Sequence, residues 1–243
     1  MEDEFELKEL NTSFNSKLFL MAGLSSITIA IGYILITIEY VISGQPLPNE
    51  AMAWITYLNG KSFLWWNIIW CSIITDILYL PVVFGLYEFY KRKQKLMILV
   101  SLILFSLFVF LELSITWSKY PALLELVSKY HGTTNTDLQK IYVAAIESVT
   151  TEFVTPVTAF YTIFIPAVAA ILVSLIMIKD NEFGKIISII GLVSGICNAF
   201  SVIGGYFFAP FGQLVILGSF LILFWFLGVG IKMLQLRKRI SIL

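Results

Sequence analysis

LMILVSLILFSLFVFLELSITW (Leu96 to Trp117) holds one acid and no base. A hydrocarbon core about 30 Å thick is crossed by roughly 20 apolar residues at 1.5 Å each, and this run is long enough. Five further stretches meet the same length: Leu18 to Ser43, Trp65 to Tyr90, Val154 to Ile178, Ile186 to Phe208 and Gln213 to Leu236. The first is too long for a signal peptide, its leader MEDEFELKEL is acidic, and no small-residue cleavage site follows it. The pattern predicts an all-α polytopic membrane helix bundle with six transmembrane helices and short interfacial helices. Residues 1–17 form an acidic leader, 18–236 a single transmembrane domain and 237–243 a basic tail.

Composition agrees. The 243 residues are 58% hydrophobic and 13% charged, against about 45–50% and 25% in soluble domains. Lys plus Arg equals Asp plus Glu, so no basic surface exists to hold nucleic acid by counterion release. Two cysteines and one histidine supply neither a disulfide framework nor the ligands of a zinc or bis-histidine haem centre. No cofactor or metal is expected.

Basic residues set the direction. Twelve fall on one side: Lys8 and Lys17, the Lys91 to Lys95 connection, Lys179 and Lys185, and the tail from Lys232 to Arg239. Four fall on the other, Lys61, Lys119, Lys129 and Lys140. Both termini are therefore expected in the cytoplasm of a cell-membrane protein.

Two connections on the opposite, outer side carry helical signals. Asn49 is placed to cap a helix over 49–59 in which Ala51, Trp54, Ile55 and Leu58 share a face and Asn59-Gly60 ends the run, beside the aromatic cluster Phe63, Trp65, Trp66 and Trp70. Thr136 and Gln139 form a capping-box signature for a second helix leading into the fourth span, with a bend at Pro156.

Ionised side chains in hydrocarbon cost roughly 2.5 to 3.5 kcal/mol, so polar groups turn toward the bundle or a wet cavity. On the second span Ser72, Asp76 and Tyr79 fall in one helical stripe, and Pro81 frees the carbonyl of Ile77. The third span carries Ser101, Phe105, Phe108, Glu112 and Thr116, and the fourth carries Thr151, Thr155, Thr158 and Thr162. The fifth carries Gly191, Ser194, Asn198, Ser201 and Gly205, and Glu39 and Ser43 end the first. Glu39 and Glu112 come out roughly 6 to 8 Å from the outer edge, and Asp76 and Asn198 about 15 Å deep. No Lys or Arg is placed to pair with these acids, so the pocket is protonated, solvated or filled by a cation. The candidate binding residues are Asp76, Glu112, Glu39, Asn198, Tyr79, Ser72 and Thr158. Each stripe also has a packing explanation: the fifth-span series suits close helix contact, threonines bond their own i−4 carbonyls, and Asp76 and Asn198 at similar depth could bond each other.

Known membrane chemistries place requirements this chain does not meet. A retinal Schiff base needs a lysine in mid-span, and Lys232 lies at the end of the last helix. Intramembrane serine proteolysis and metal hydrolysis need histidines at depth, and His131 sits in a polar connection. Paired-aspartate proteolysis needs a second mid-depth Asp beside Asp76. The chain is read as a non-enzyme.

TDILYLPVVFGLYEFYK (Thr75 to Lys91), FGKIISIIGLVSGI (Phe183 to Ile196) and FWFLGVGIK (Phe224 to Lys232) together resemble an uncharacterised six-span prokaryotic membrane family classed as a domain of unknown function. The family pattern has an acid nearly two turns before the tryptophan of the last span, where this chain has Gly218 and Ser219. The resemblance implies fold and membrane location and assigns no site residue. Two functions stay open. One is a small transporter or permeation protein passing a cation, proton or small polar solute through an outward-facing acidic crevice. The other is a non-catalytic accessory subunit that meets a membrane-complex partner, or forms a homo-oligomer, in the lipid bilayer.

Overall fold

The computed structural model describes residues 13–44, 50–153, 155–180 and 182–242. Among these residues there is no strand, and six helices are long and apolar enough to cross a membrane. The chain is a multi-pass membrane protein. Its elements are α1 (Ser13–Ser43), α2 (Ala51–Leu58), α3 (Ser62–Tyr90), α4 (Lys95–Leu111), α5 (Trp117–His131), α6 (Thr136–Phe153), α7 (Pro156–Ala159), α8 (Ile165–Asp180), α9 (Lys185–Phe207) and α10 (Leu214–Ile242). A π-helical turn, Glu112–Thr116, joins α4 to α5, and a second, Phe160–Phe164, joins α7 to α8.

Short connections after α3 and α9 force the spans they join antiparallel. Each span packs on the one before and after it in sequence, and α10 packs on α1, so the six close into a ring. Ser13 and Ile242 come to one end of it, where Lys93 pairs with Asp180 at 2.6 Å and Arg239 with Glu182 at 3.3 Å.

Close approach of α1 and α10 rests on glycine. A Cβ at Gly230 would lie 2.8 Å from the carbonyl oxygen of Gly23, and Ser26 Oγ donates to the carbonyl of Phe226 at 2.6 Å. The fifth-span stripe is used in the same way. Gly191 is cradled by the Trp225 indole and the Ser174 hydroxyl, a Cβ at Gly195 would lie 2.8 Å from the Ala167 carbonyl, and Ser194 Oγ donates to the Gly218 carbonyl at 2.7 Å. In lipid, such backbone approach supplies the packing that hydrophobic burial supplies in water. Gly191→Ala is therefore expected to cost about 1 to 3 kcal/mol through overpacking. Gly205→Ala should be silent, because its Cβ would stand 3.5 Å from Gly212 Cα, an ordinary contact. Thermal melts in detergent compare the two, and equal midpoints would contradict this packing.

At the other end α2, α5 and α6 form a cap. The leader to residue 12 and Asn49 lie outside the described residues. The first amide of α2, on Ala51, donates to Glu147 Oε2 on α6 at 2.9 Å, so one cap helix satisfies the exposed amide end of another. Ala51, Trp54, Ile55 and Leu58 are buried on one face, and Gly60 ends the turn at φ 72°. Lys61 Nζ donates to the Ser43 carbonyl at 2.7 Å, holding the α1 C-terminus with a positive charge.

Three local expectations need correction. The third span does not stop at Trp117 but runs on as helix to His131, through a π turn placed just before Pro121. A proline cannot donate to the carbonyl four residues back and crowds it, and a widened turn accommodates this. The second π turn precedes Pro166 in the same way. The cap of α6 is Asn135, whose Oδ1 accepts from Asp137 N at 2.9 Å, one residue before the expected Thr136. Finally, the chain breaks between α6 and α7. Thr155 caps the new helix by accepting from Thr158 N at 3.2 Å, and Pro156 takes the first helical position, where its missing N–H costs nothing.

Candidate functional site

Asp76 on α3 and Glu112 at the start of the first π turn are both buried, at 5% and 7% exposure, although neither has a lysine or arginine partner among the described residues. The π turn explains the arrangement. An i→i+5 turn lays residues five apart over each other, so Glu112 and Trp117 share a face that a 3.6-residue period would split. Trp117 Nε1 then donates to Asp76 Oδ2 at 2.7 Å. Thr116, at the other end of the π turn from Glu112, has its hydroxyl 3.2 Å from the Tyr161 hydroxyl, which belongs to the second π turn. The two π turns thus meet at one polar cluster. Within it Glu112 Oε2 is buried without a hydrogen-bond partner from the protein.

On the far side of the acids, Tyr33 of α1 and Tyr79 of α3 share a hydroxyl–hydroxyl hydrogen bond of 2.7 Å. Both phenols lie within electrostatic reach of Asp76 and Glu112. Their rings form part of the wall of a cavity of about 470 Å³ at the centre of the ring, which receives side chains from all six spans. Phe105 and Phe108 of α4, Thr162 and Pro166 of the fourth span, Asn198 of α9 and Phe226 of α10 are among its lining. Tyr33 and Tyr79 line the cavity, whereas Asp76 and Glu112 do not.

Toward the cap the cluster is closed by aromatic stacking. Trp117 stacks on Tyr120 at 5.3 Å, Tyr120 on Trp65 at 5.3 Å and on Phe153 at 4.4 Å, and Trp54 meets Trp65 edge-on. The acidic crevice expected to open on this side is therefore covered, because the cap helices bring their aromatic faces together over α1 and α3.

Comparison with protein-family models, curated proteins and solved structures gives no match.

Of the residues singled out by spacing, Asp76, Glu112 and Tyr79 come together. Ser72 is buried one turn from Asp76, with its carbonyl accepting from Thr75 Oγ1 at 2.8 Å. Asn198 lines the cavity against Gly218, with Oδ1 buried and unpartnered, and it does not bond Asp76, which is bonded to Trp117 instead. Glu39 lies beside Cys71. Thr158 stands outside the cluster: its hydroxyl donates to the Glu152 carbonyl at 2.6 Å and meets Thr155 Oγ1 at 2.9 Å, which closes the break before α7. Three members escaped the sequence reading. Trp117 and Tyr161 reach the cluster only through π turns, for which the proline four or five residues downstream is the available signal, and Tyr33 sits in an otherwise apolar first span. Among the described residues no three His, Cys, Asp or Glu side chains converge.

Proposed function

We propose that this chain is a small transport or permeation protein of the cell membrane, in which Asp76 and Glu112 exchange a proton or small cation with the central cavity. One observation carries the reading: a buried carboxyl pair without a basic partner, one oxygen of it unbonded by the protein, lies a single tyrosine pair away from a cavity that all six spans surround. Acids inside a membrane are costly, and functional pathways are where they are found. The phenols can relay a proton, because each hydroxyl both donates and accepts. The aromatic cap covers the acids on its side, so in this reading they are reached from the cavity side. The family suggested by Thr75 to Lys91, Phe183 to Ile196 and Phe224 to Lys232 remains our assignment on resemblance, and we assign no catalytic role.

The accessory-subunit alternative asked the small-residue stripe of α9 to meet a partner. Gly191, Ser194 and Gly195 instead pack against α8 and α10 of the same chain, so those positions are not left free for a partner. Reconstituting the purified protein in liposomes under a pH or potassium gradient tests it. Dye-reported flux is the expected result. An inert protein that purifies with a stoichiometric companion would replace this reading with the accessory one.

We place the terminal end in the cytoplasm by the excess of basic residues there. Reporter fusions after Lys95 and after Gly132 should give opposite sidedness, the first cytoplasmic. The same side for both would overturn the orientation.

A further inference from the structure

The cavity is lopsided in a way that specifies an occupant. Its wall is mostly apolar, with six aromatic rings, Tyr33, Tyr79, Phe105, Phe108, Phe220 and Phe226, among the lining and no lysine or arginine. The hydroxyl-bonded pair Tyr33 and Tyr79 in this wall lies within electrostatic reach of the two carboxyls. A volume of about 470 Å³ falls in the range that holds a drug-sized molecule. Aromatic faces attract a cation through the ring quadrupole, more strongly where water is displaced, and carboxylates add attraction through a medium of low dielectric.

The way in is also visible. Near the terminal end α1 and α10 are in backbone contact at Gly23 and Gly230, and Ser26 bonds the Phe226 carbonyl. Toward the cap the cavity lies between the same two helices: Tyr33 and Thr37 line it from α1, and Val215, Ser219 and Ile222 from α10. Thr37, Ser219 and Phe220 line the cavity and are also exposed. The opening therefore faces sideways, into the layer where an apolar solute dissolves.

We propose that this cavity binds a lipophilic organic monocation, admitted from the membrane between α1 and α10, its charge held over aromatic faces and compensated by Asp76 and Glu112. The proposal rests on the exchange reading above and names the substrate class of that site. When the cation binds a protonated acid pair, one proton leaves the carboxyl and net charge is conserved.

Tetraphenylphosphonium is a suitable probe, with triphenylphosphine oxide as a neutral aromatic comparison and empty detergent micelles as the partition baseline. Equilibrium dialysis of the full chain should show saturable binding of the phosphonium, at least about ten-fold tighter than of the oxide, a difference of roughly 1.4 kcal/mol. Binding in weakly buffered detergent should release a proton. Asp76→Asn should weaken binding and abolish the release, and Ser219→Trp, which puts an indole into the α10 wall of the cavity without touching the acids, should weaken binding at least about ten-fold. Equal affinity for the neutral compound, or no saturable binding by wild type, overturns the proposal. If that happens while proton or potassium flux persists in liposomes, the exchange reading survives and only the substrate class is wrong. Phosphonium binding with no flux of any ion would instead sink the exchange reading and leave the cavity as a binding site.

Discussion

Asp76→Asn is expected to lower flux through the reconstituted protein at least about ten-fold, the effect of losing roughly 1.4 kcal/mol of ion binding, and to flatten its pH dependence. The substitution keeps the shape of the side chain and an oxygen for Trp117 Nε1, now at 2.7 Å from the carboxylate, so the fold survives while the titration is removed. Glu112→Gln should act in the same direction, and the double variant should be little worse than either single one, because residues that work as a unit are not additive. Trp117→Phe removes only the hydrogen bond to Asp76 and retains a ring to stack on Tyr120. As a positioning residue it should shift the pH profile and leave the maximal rate nearly intact. Proteoliposome flux measured across a pH series checks all four. Unchanged rate and pH profile in Asp76→Asn would make Asp76 a structural residue.

Trp65→Ala should destabilise the protein by about 3 to 5 kcal/mol, the range for deleting a buried large aromatic. Trp65 is fully buried and meets Tyr40, Trp54, Tyr57 and Tyr120, so its loss empties the centre of the cap. Its neighbour Trp66 points outward, and Trp66→Ala should stay within about 0.5 kcal/mol of wild type. Thermal unfolding in detergent, followed by circular dichroism, distinguishes them. Equal stability of the two variants would mean that the cap is not a packed unit.

Length and apolar content made the six spans legible, since few folds accommodate runs such as Leu96 to Trp117. Spacing at 3.6 residues also placed Asp76, Ser72 and Tyr79 on one buried stripe of α3 and the packing series on α9. The same spacing found Thr116 beside Glu112 but could not place Trp117 in the cluster. A single π turn rotates everything after it, which brought Trp117 rather than Asn198 to Asp76. Thr158 was assigned to the site because threonine in a span reads as a polar lining, whereas Pro156 starts a new helix there and engages it in the cap. Cover over the acids was not legible either. It depends on α2, α5 and α6 turning their aromatic faces to one point, and contacts between residues as distant as Trp65 and Tyr120 leave no periodic trace.

The central claim is that the Asp76–Glu112 pair exchanges protons. Infrared difference spectroscopy of the carboxyl stretch, recorded as pH is stepped across the acid and neutral range, observes it directly. A carboxyl band that comes and goes with pH in wild type, and is lost or displaced in Asp76→Asn and in Glu112→Gln, is the result expected. A spectrum in which wild type and both variants show the same carboxyl changes would place the titrating groups elsewhere and contradict the account.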